Sequence, residues 1–187
     1  VNRGFAIMTD DRVFHNVKGL RDPERLALLE TERVTSICLG GLSVRTVLDV
    51  GTGSGVFAEA FARRGLEVTG VDVQEAMLEA ARGYVPGVRF ELAPSERLPF
   101  RDGAFDLVFL GHVLHEARDP LQSLREAGRV SALRVAVLEW PYLKETLGPP
   151  LRHRLKVDDI RGLASSAGFT RFESPPLSHM ALFLMAK

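Results

Sequence analysis

The sequence predicts an α/β fold: a doubly wound, mostly parallel sheet with helices on both faces. Three observations carry this. Val47-Leu48-Asp49-Val50 has strand character and runs straight into three alternating glycines and then a helix. After it, strand-like and helix-like segments alternate with short connections. The strand-like runs are rich in valine and almost continuously apolar, as strands covered on both faces are.

Taken in order, residues 1–20 show no clear period but hold Phe5, Met8, Phe14 and His15, large groups that argue for packing. Asp22-Pro23 fits a helix cap followed by proline in the first turn. Leu26, Leu29, Val34 and Ile37 then give a helical face ending near Gly40-Gly41. Next come a strand over 45–50, a helix over 54–64, a strand over 67–72, a helix over 74–82 and a strand over 88–92. Gly65 closes the first of these helices after Arg63 and Arg64, whose charges suit a helix C-terminus. Ala104 to Leu110 is a fourth strand, Asp119-Pro120 opens a helix to Val130, and Ala132 to Trp140 is a fifth strand. A helix from Asp158 to Ala167 stops at Gly168, and strands over 169–174 and 178–186 follow.

The glycine loop points to a ligand. Gly51, Gly53 and Gly55 allow tight turns and a close approach with no Cβ in the way. A dinucleotide fingerprint needs a glycine at the sixth place, where Val56 stands, and a phosphate loop needs a Lys that is missing here. Asp49 beside the loop would repel a pyrophosphate and accept a hydrogen bond from an ammonium group. Asp72 ends the second strand 17 residues after Gly55, where a carboxylate holds paired ribose hydroxyls in open α/β folds. Asp49 thus favours a ligand with an amine and a nucleoside over one with phosphates, and Asp72 suits its ribose.

Composition narrows the classes. The 187 residues suit one domain with a sizeable core, and 45% hydrophobic with 26% charged residues is ordinary for a globular chain. Lys plus Arg number 24, as do Asp plus Glu, so no electrostatic footprint for nucleic acid or anionic lipid is visible. The single cysteine, Cys38, excludes an internal disulfide or a cysteine-based zinc site. Charges break every apolar run before membrane-spanning length, so no membrane insertion and a cytoplasmic location are expected.

Asp49-Val50-Gly51-Thr52-Gly53-Ser54-Gly55, Asp72, Leu98-Pro99-Phe100 and Phe105-Asp106-Leu107-Val108 together resemble a class I S-adenosylmethionine-dependent methyltransferase. The likeness covers about three quarters of the chain and is nearest to the ubiquinone and menaquinone biosynthesis enzymes and related small-molecule methyltransferases. It implies a Rossmann-like, seven-stranded sheet with an antiparallel last strand. Residues 1–40 are then an N-terminal helical lid on a core of 45–187, within one domain of 1–187. The implied cofactor is S-adenosyl-L-methionine, and the implied reaction is direct in-line methyl transfer to a small, partly hydrophobic acceptor. Cofactor contacts are expected from Asp49, Gly51, Thr52, Gly53, Gly55, Asp72, Val73, Ser95, Glu96 and Gly111. The family usually has Asp where Pro94 stands, which leaves Ser95 and nearby backbone for the adenine edge.

Ligands in such sheets bind beyond the carboxyl ends of the strands, which places Gly111-His112-Val113-Leu114-His115-Glu116 at the site. His112, His115 and Glu116 are the candidates for proton transfer. Their spacing could also be helical and metal-like, but no third ligand accompanies them and no metal is expected. Phe14, His15, Trp140, Tyr142, His153 and Arg154 are candidates for acceptor contact, the last four because the related enzymes border their acceptor pocket with this loop. A small-molecule partner, no nucleic acid and a chain compatible with a homodimer complete the expectation. The rival readings are a cofactor-binding regulatory or structural module without turnover and, more weakly, a nicotinamide-dependent dehydrogenase.

Overall fold

The computed structural model describes residues 17–187. Seven strands form one sheet in the order β3-β2-β1-β4-β5-β7-β6. These are β1 (Thr46–Val50), β2 (Glu67–Asp72), β3 (Arg89–Leu92), β4 (Phe105–Gly111), β5 (Ser131–Glu139), β6 (Arg171–Glu173) and β7 (Ala181–Ala186). β1 pairs in parallel with β2 and β4, as do β2 with β3 and β4 with β5, whereas β7 is antiparallel to both β5 and β6. This is the Rossmann-like, mostly parallel arrangement with an antiparallel last strand, flanked by helices α1 (Pro23–Leu28), α2 (Thr31–Leu39), α3 (Val56–Ala62), α4 (Glu75–Tyr84), α5 (Pro120–Val130) and α6 (Val157–Ser166).

The continuous apolar character of the central strands follows from burial on both faces. Successive side chains alternate between faces. Val47, Leu107, Phe109, Ala136, Leu138, Leu182 and Leu184 therefore join one core with residues of α2, α3 and α4. Leu48, Val50, Val108, Leu110, Val135, Val137, Phe183 and Met185 join a second core with α5 and α6. Each such side chain taken fully from water contributes about 1.5–3 kcal/mol. Cys38 is wholly buried in the first core, and burial pushes its thiol up to about 12, against the charge of Arg134.

The N-terminal helix departs from expectation. It is two helices, broken at Glu30, which takes the left-handed conformation (φ 46°, ψ 41°). The Glu30 carboxylate accepts the backbone N–H groups of Ser178 (2.7 Å) and His179 (3.1 Å), far along the chain. Tertiary anchoring thus overrides helix continuity. The first core helix is also shorter than predicted: Ser54 and Gly55 belong to the loop, because Gly55 is left-handed (φ 78°) at the helix cap.

Two ties align the strand ends. At the bottom of the sheet, Asp106 Oδ2 accepts the N–H groups of Arg45 (2.8 Å) and Thr46 (3.0 Å) and the Thr46 hydroxyl (3.1 Å). At the top, Thr52 N–H donates to the Val71 carbonyl (2.9 Å) and His112 N–H to that of Leu138 (2.8 Å). The second pair fixes the loops after β1 and β4 at the same end of the sheet.

Candidate functional site

A cavity of about 1090 Å³ opens at the carboxyl ends of β1, β2, β4 and β5 and is covered in part by the segment leading into α1. Its floor is the glycine loop. Gly51, Gly53 and Gly55 are all left-handed, with φ of 66°, 53° and 78°. A Cβ on Gly51 would lie 2.4 Å from Val113 Cγ2, and one on Gly53 would lie 2.8 Å from Leu20 Cδ1. At Gly51 both backbone angle and space demand glycine; at Gly53 the backbone angle does, since the tip of the Leu20 side chain can give way.

Asp72 stands at the tip of β2 on the cavity wall. Its Oδ2 accepts the Gly53 N–H (2.9 Å) and its Oδ1 the Gln74 N–H (3.0 Å). Each oxygen keeps acceptor capacity, so the carboxylate is aimed and still able to receive two hydroxyls. Burial raises its pKa, opposed by the N–H groups of Gly53, Gln74 and Val73. Asp49 sits differently, 2% exposed beneath the loop, with Thr52 Oγ1 donating to its Oδ2 at 2.7 Å. Burial pushes Asp49 up to about 7, the Thr52 hydroxyl and the Ala58 N–H oppose the shift, and the Asp72 charge adds to it. Neither Asp49 nor Gly55, which packs toward Ala81 and Val85, is part of the cavity wall; Gly51, Thr52, Gly53, Asp72, Val73, Ser95, Glu96 and Gly111 are.

Just beyond β2, Val73 leaves 56% of its surface exposed at the wall, an apolar platform of the kind a flat ring covers. Ser95 Oγ lies 2.9 Å from Ser123 Oγ, which itself donates to the Asp119 carbonyl (3.1 Å). Glu96 accepts the N–H groups of Arg118 (3.1 Å) and Asp119 (3.4 Å), holding the β3 loop against the start of α5. Ser95 therefore spends its proton on protein and keeps oxygen lone pairs for a donor such as an exocyclic amine.

The turn after β4 brings together the histidines. Residues 112–117 form a turn rather than a helix, and His112 itself is left-handed (φ 60°), an uncommon conformation for a residue with a Cβ. Its ring packs on Trp140 (centroids 5.4 Å apart), and its Nε2 is buried without a hydrogen-bond partner. Burial, then the charges of Arg25 and His115, hold His112 well below the usual imidazole range. His115 has the opposite environment. Its Nδ1 is 2.6 Å from Oε2 of Glu139, whose other oxygen accepts the N–H groups of Leu114 (2.9 Å) and His115 (3.3 Å). Burial alone would depress His115, but Glu139, by charge and hydrogen bond, and then Glu116 outweigh it and raise the pKa against the charge of Arg154.

Among the acceptor candidates, Trp140 and His153 line the cavity. Tyr142 is 42% exposed, lies outside the wall and sits under Lys156. Arg154 is 5% exposed and donates to the carbonyls of Pro149 (2.9 Å), Pro141 (3.0 Å) and Leu147 (2.6 Å) and to Glu145 Oε2 (2.9 Å). It holds the loop whose residues 147–150 wall the cavity. Phe14 and His15 lie outside the described residues. No group of three or more His, Cys, Asp or Glu suited to a metal occurs among the described residues, and no helix there is long and apolar enough to cross a membrane.

Sequence reasoning missed Glu139 and Arg25. Glu139 is a single acid closing an apolar strand, and its partner is 24 residues away. Arg25 reaches the cavity wall from α1 and donates to the Leu20 carbonyl (2.9 Å). Burial lowers its pKa, opposed by Glu116. Nearby, Arg21 clamps the covering segment to the loop through the Ser54 carbonyl (3.0 Å) and Glu59 (2.8 Å).

Comparison with known proteins agrees with this geometry. Residues 48–132 match the family described as Methyltransferase domain. A solved S-adenosylmethionine-dependent methyltransferase from Aquifex aeolicus superposes with a TM-score of 0.80 at 27% identity, covering 92% of this chain and 97% of that one. The fold is thus that of a class I S-adenosylmethionine-dependent methyltransferase, and residues 48–132 carry the likeness to the methyltransferase family. The Ubiquinone biosynthesis O-methyltransferase of Alkalilimnicola ehrlichii is 38% identical over 98 residues, 50% of this chain and 40% of the relative. The Demethylmenaquinone methyltransferase of Renibacterium salmoninarum is 29% identical over 117 residues, 63% of this chain and 49% of the relative. The chain thus spans less than half the length of these curated relatives.

Proposed function

We propose that this chain transfers a methyl group from S-adenosyl-L-methionine to a small, partly hydrophobic acceptor by direct in-line displacement. The observation that carries the reading is the Asp72 carboxylate, fixed by the Gly53 N–H at 2.9 Å and open to the cavity beside a loop that admits no Cβ. A paired-hydroxyl ribose fits this carboxylate, and the slender amino-acid end of the cofactor fits the glycine cradle. Asp49, tied to Thr52, lies beneath that cradle, and Arg25 in the cavity wall supplies the cation for a carboxylate. Val73 and Ser95 suit the two faces of adenine recognition, apolar packing and acceptance of an amine hydrogen bond.

The bound cofactor supplies an electrophilic methyl on a sulfonium whose positive charge disperses during transfer. The protein's part is alignment in a pocket shielded from water. The covering segment, held by Arg21, and the 147–150 loop, held by Arg154, exclude water from opposite sides. Trp140 and His112 form an aromatic wall suited to a flat acceptor. Two relatives named Ubiquinone biosynthesis O-methyltransferase and Demethylmenaquinone methyltransferase support an acceptor of that kind.

Incubation with methyl-labelled S-adenosylmethionine and a metabolite extract tests the reading. The expected result is label in a small molecule, lost in Asp72→Ala. Cofactor binding with no labelled product would instead favour the regulatory or structural module.

A further inference from the structure

We infer that His115 is the proton acceptor for a hydroxylated, aromatic methyl acceptor, and that Glu139 is the positioning residue that holds it to that task. The inference rests on the methyl-transfer reading and deepens it by naming the acceptor class. Glu139 is 1% exposed at the end of β5 and makes three contacts with the β4 turn. A carboxylate so buried is costly without a compensating donor, and the His115 ring is that donor. Glu139 lies behind the cavity wall while His115 is part of it. The ring edge bearing Nε2 is therefore the one left for a ligand. The arrangement follows the logic of a base oriented by a buried acid.

Two further observations distinguish this from a structural ion pair. His112 and His115, with centroids 6.5 Å apart in one wall, have environments that push them in opposite directions. His112 stays neutral and packs with Trp140, a surface for an aromatic ring. Glu116 Oε1 lies 3.7 Å from His115 Nε2, and its side chain is 25% exposed, so a proton received there has an outlet to solvent. The charged and titratable groups facing His115 are Glu139 from β5, Glu116 and His112 from its own turn, and Arg154 from the segment before α6.

The step balances as follows. The acceptor O–H gives its proton to Nε2 of His115, and an oxygen lone pair forms the bond to the methyl carbon. The carbon–sulfur bond breaks with its electrons on sulfur, which becomes a neutral thioether. The imidazolium then returns its proton to water. An acceptor with no proton to lose needs none of this.

The test uses the protein saturated with S-adenosylhomocysteine and 4-nitrophenol as a chromogenic probe, at a pH one unit below the probe's own pKa. Wild type is expected to bind it as the coloured phenolate, and His115→Gln as the neutral phenol. With labelled S-adenosylmethionine and a panel of phenols and catechols, His115→Gln should lower kcat by about 10²–10⁴-fold at unchanged cofactor affinity. Glu139→Gln should move the acid limb of kcat/KM to lower pH, because a base relieved of its carboxylate releases its proton earlier. Binding of the probe as neutral phenol, no binding of it, no label on any phenol, or an unmoved limb in a folded Glu139→Gln would each overturn the inference. Calorimetric failure to bind S-adenosylhomocysteine would instead overturn the methyl-transfer reading beneath it.

Discussion

Replacing Gly51 by alanine tests the cradle with an internal control, Gly65→Ala. Both glycines are left-handed, with φ of 66° and 81°, so both substitutions carry a backbone penalty of about 1–2 kcal/mol. Only at Gly51 does the new Cβ collide, 2.4 Å from Val113 Cγ2, whereas at Gly65 nothing lies within 4 Å. Val113 is 9% exposed at the turn that carries His112 and His115, so relief requires moving that turn. Overpacking of this kind adds about 1–3 kcal/mol. In a domain of this size each kcal/mol lowers Tm by about 2–4 °C. Gly51→Ala should therefore unfold about 2–12 °C below Gly65→Ala and bind S-adenosylhomocysteine at least about tenfold more weakly, while Gly65→Ala binds as wild type. Thermal unfolding and titration calorimetry read both quantities. Equal stability and equal affinity for the two variants would refute the close-approach argument.

Three further outcomes are expected. Arg154→Ala strips three loop carbonyls and Glu145 of their donor and should cost about 2–4 kcal/mol, with faster hydrogen exchange over residues 141–150; an unchanged exchange pattern there would contradict the clamp. The N–H of Arg45, then those of Thr46 beside it, hold Asp106 below the ordinary carboxylate range, so its stabilisation is full above that range and fades as pH falls through the folded value. Asp106→Ala should cost about 1–3 kcal/mol at pH 7 and progressively less on acidification, read from urea titrations at each pH. Asp49 has the opposite sign: its folded pKa of about 7 lies above the ordinary 3.8, so folding loses stability as pH rises between the two values. The stability of Asp49→Asn relative to wild type should therefore rise by about 2–3 kcal/mol between pH 5 and pH 8, and an equal effect at both would show that the buried charge is not the cause.

The cradle and sheet were legible because their causes are local. Alternating glycines, valine-rich runs and an acid at the end of the second run are each a consequence of backbone angle or two-sided burial, and both act within a few residues. The break at Glu30 was less visible, although the step from Leu29 to Val34 is five residues, off the helical repeat. What fixes it is a carboxylate capped by residues 178 and 179, a contact no window of sequence contains. The same holds for Arg154. Two arginines flanking a histidine after a Gly-Pro-Pro turn suit either a ligand or a loop, and only the fold brings three carbonyls around the guanidinium. Glu139 had one available signal, an ionisable residue closing the apolar run Val135-Ala136-Val137-Leu138. Such a residue needs a partner, and its identity is set by the register of β4 beside β5.

Titration of the wild-type protein and of Asp72→Ala with S-adenosylhomocysteine addresses the central claim most directly. Saturable one-to-one binding by wild type, weakened by at least about tenfold (about 1.4 kcal/mol) in a folded Asp72→Ala, is the predicted result. A folded wild-type protein that gives no binding signal, or that binds a nicotinamide dinucleotide in its place, would contradict it.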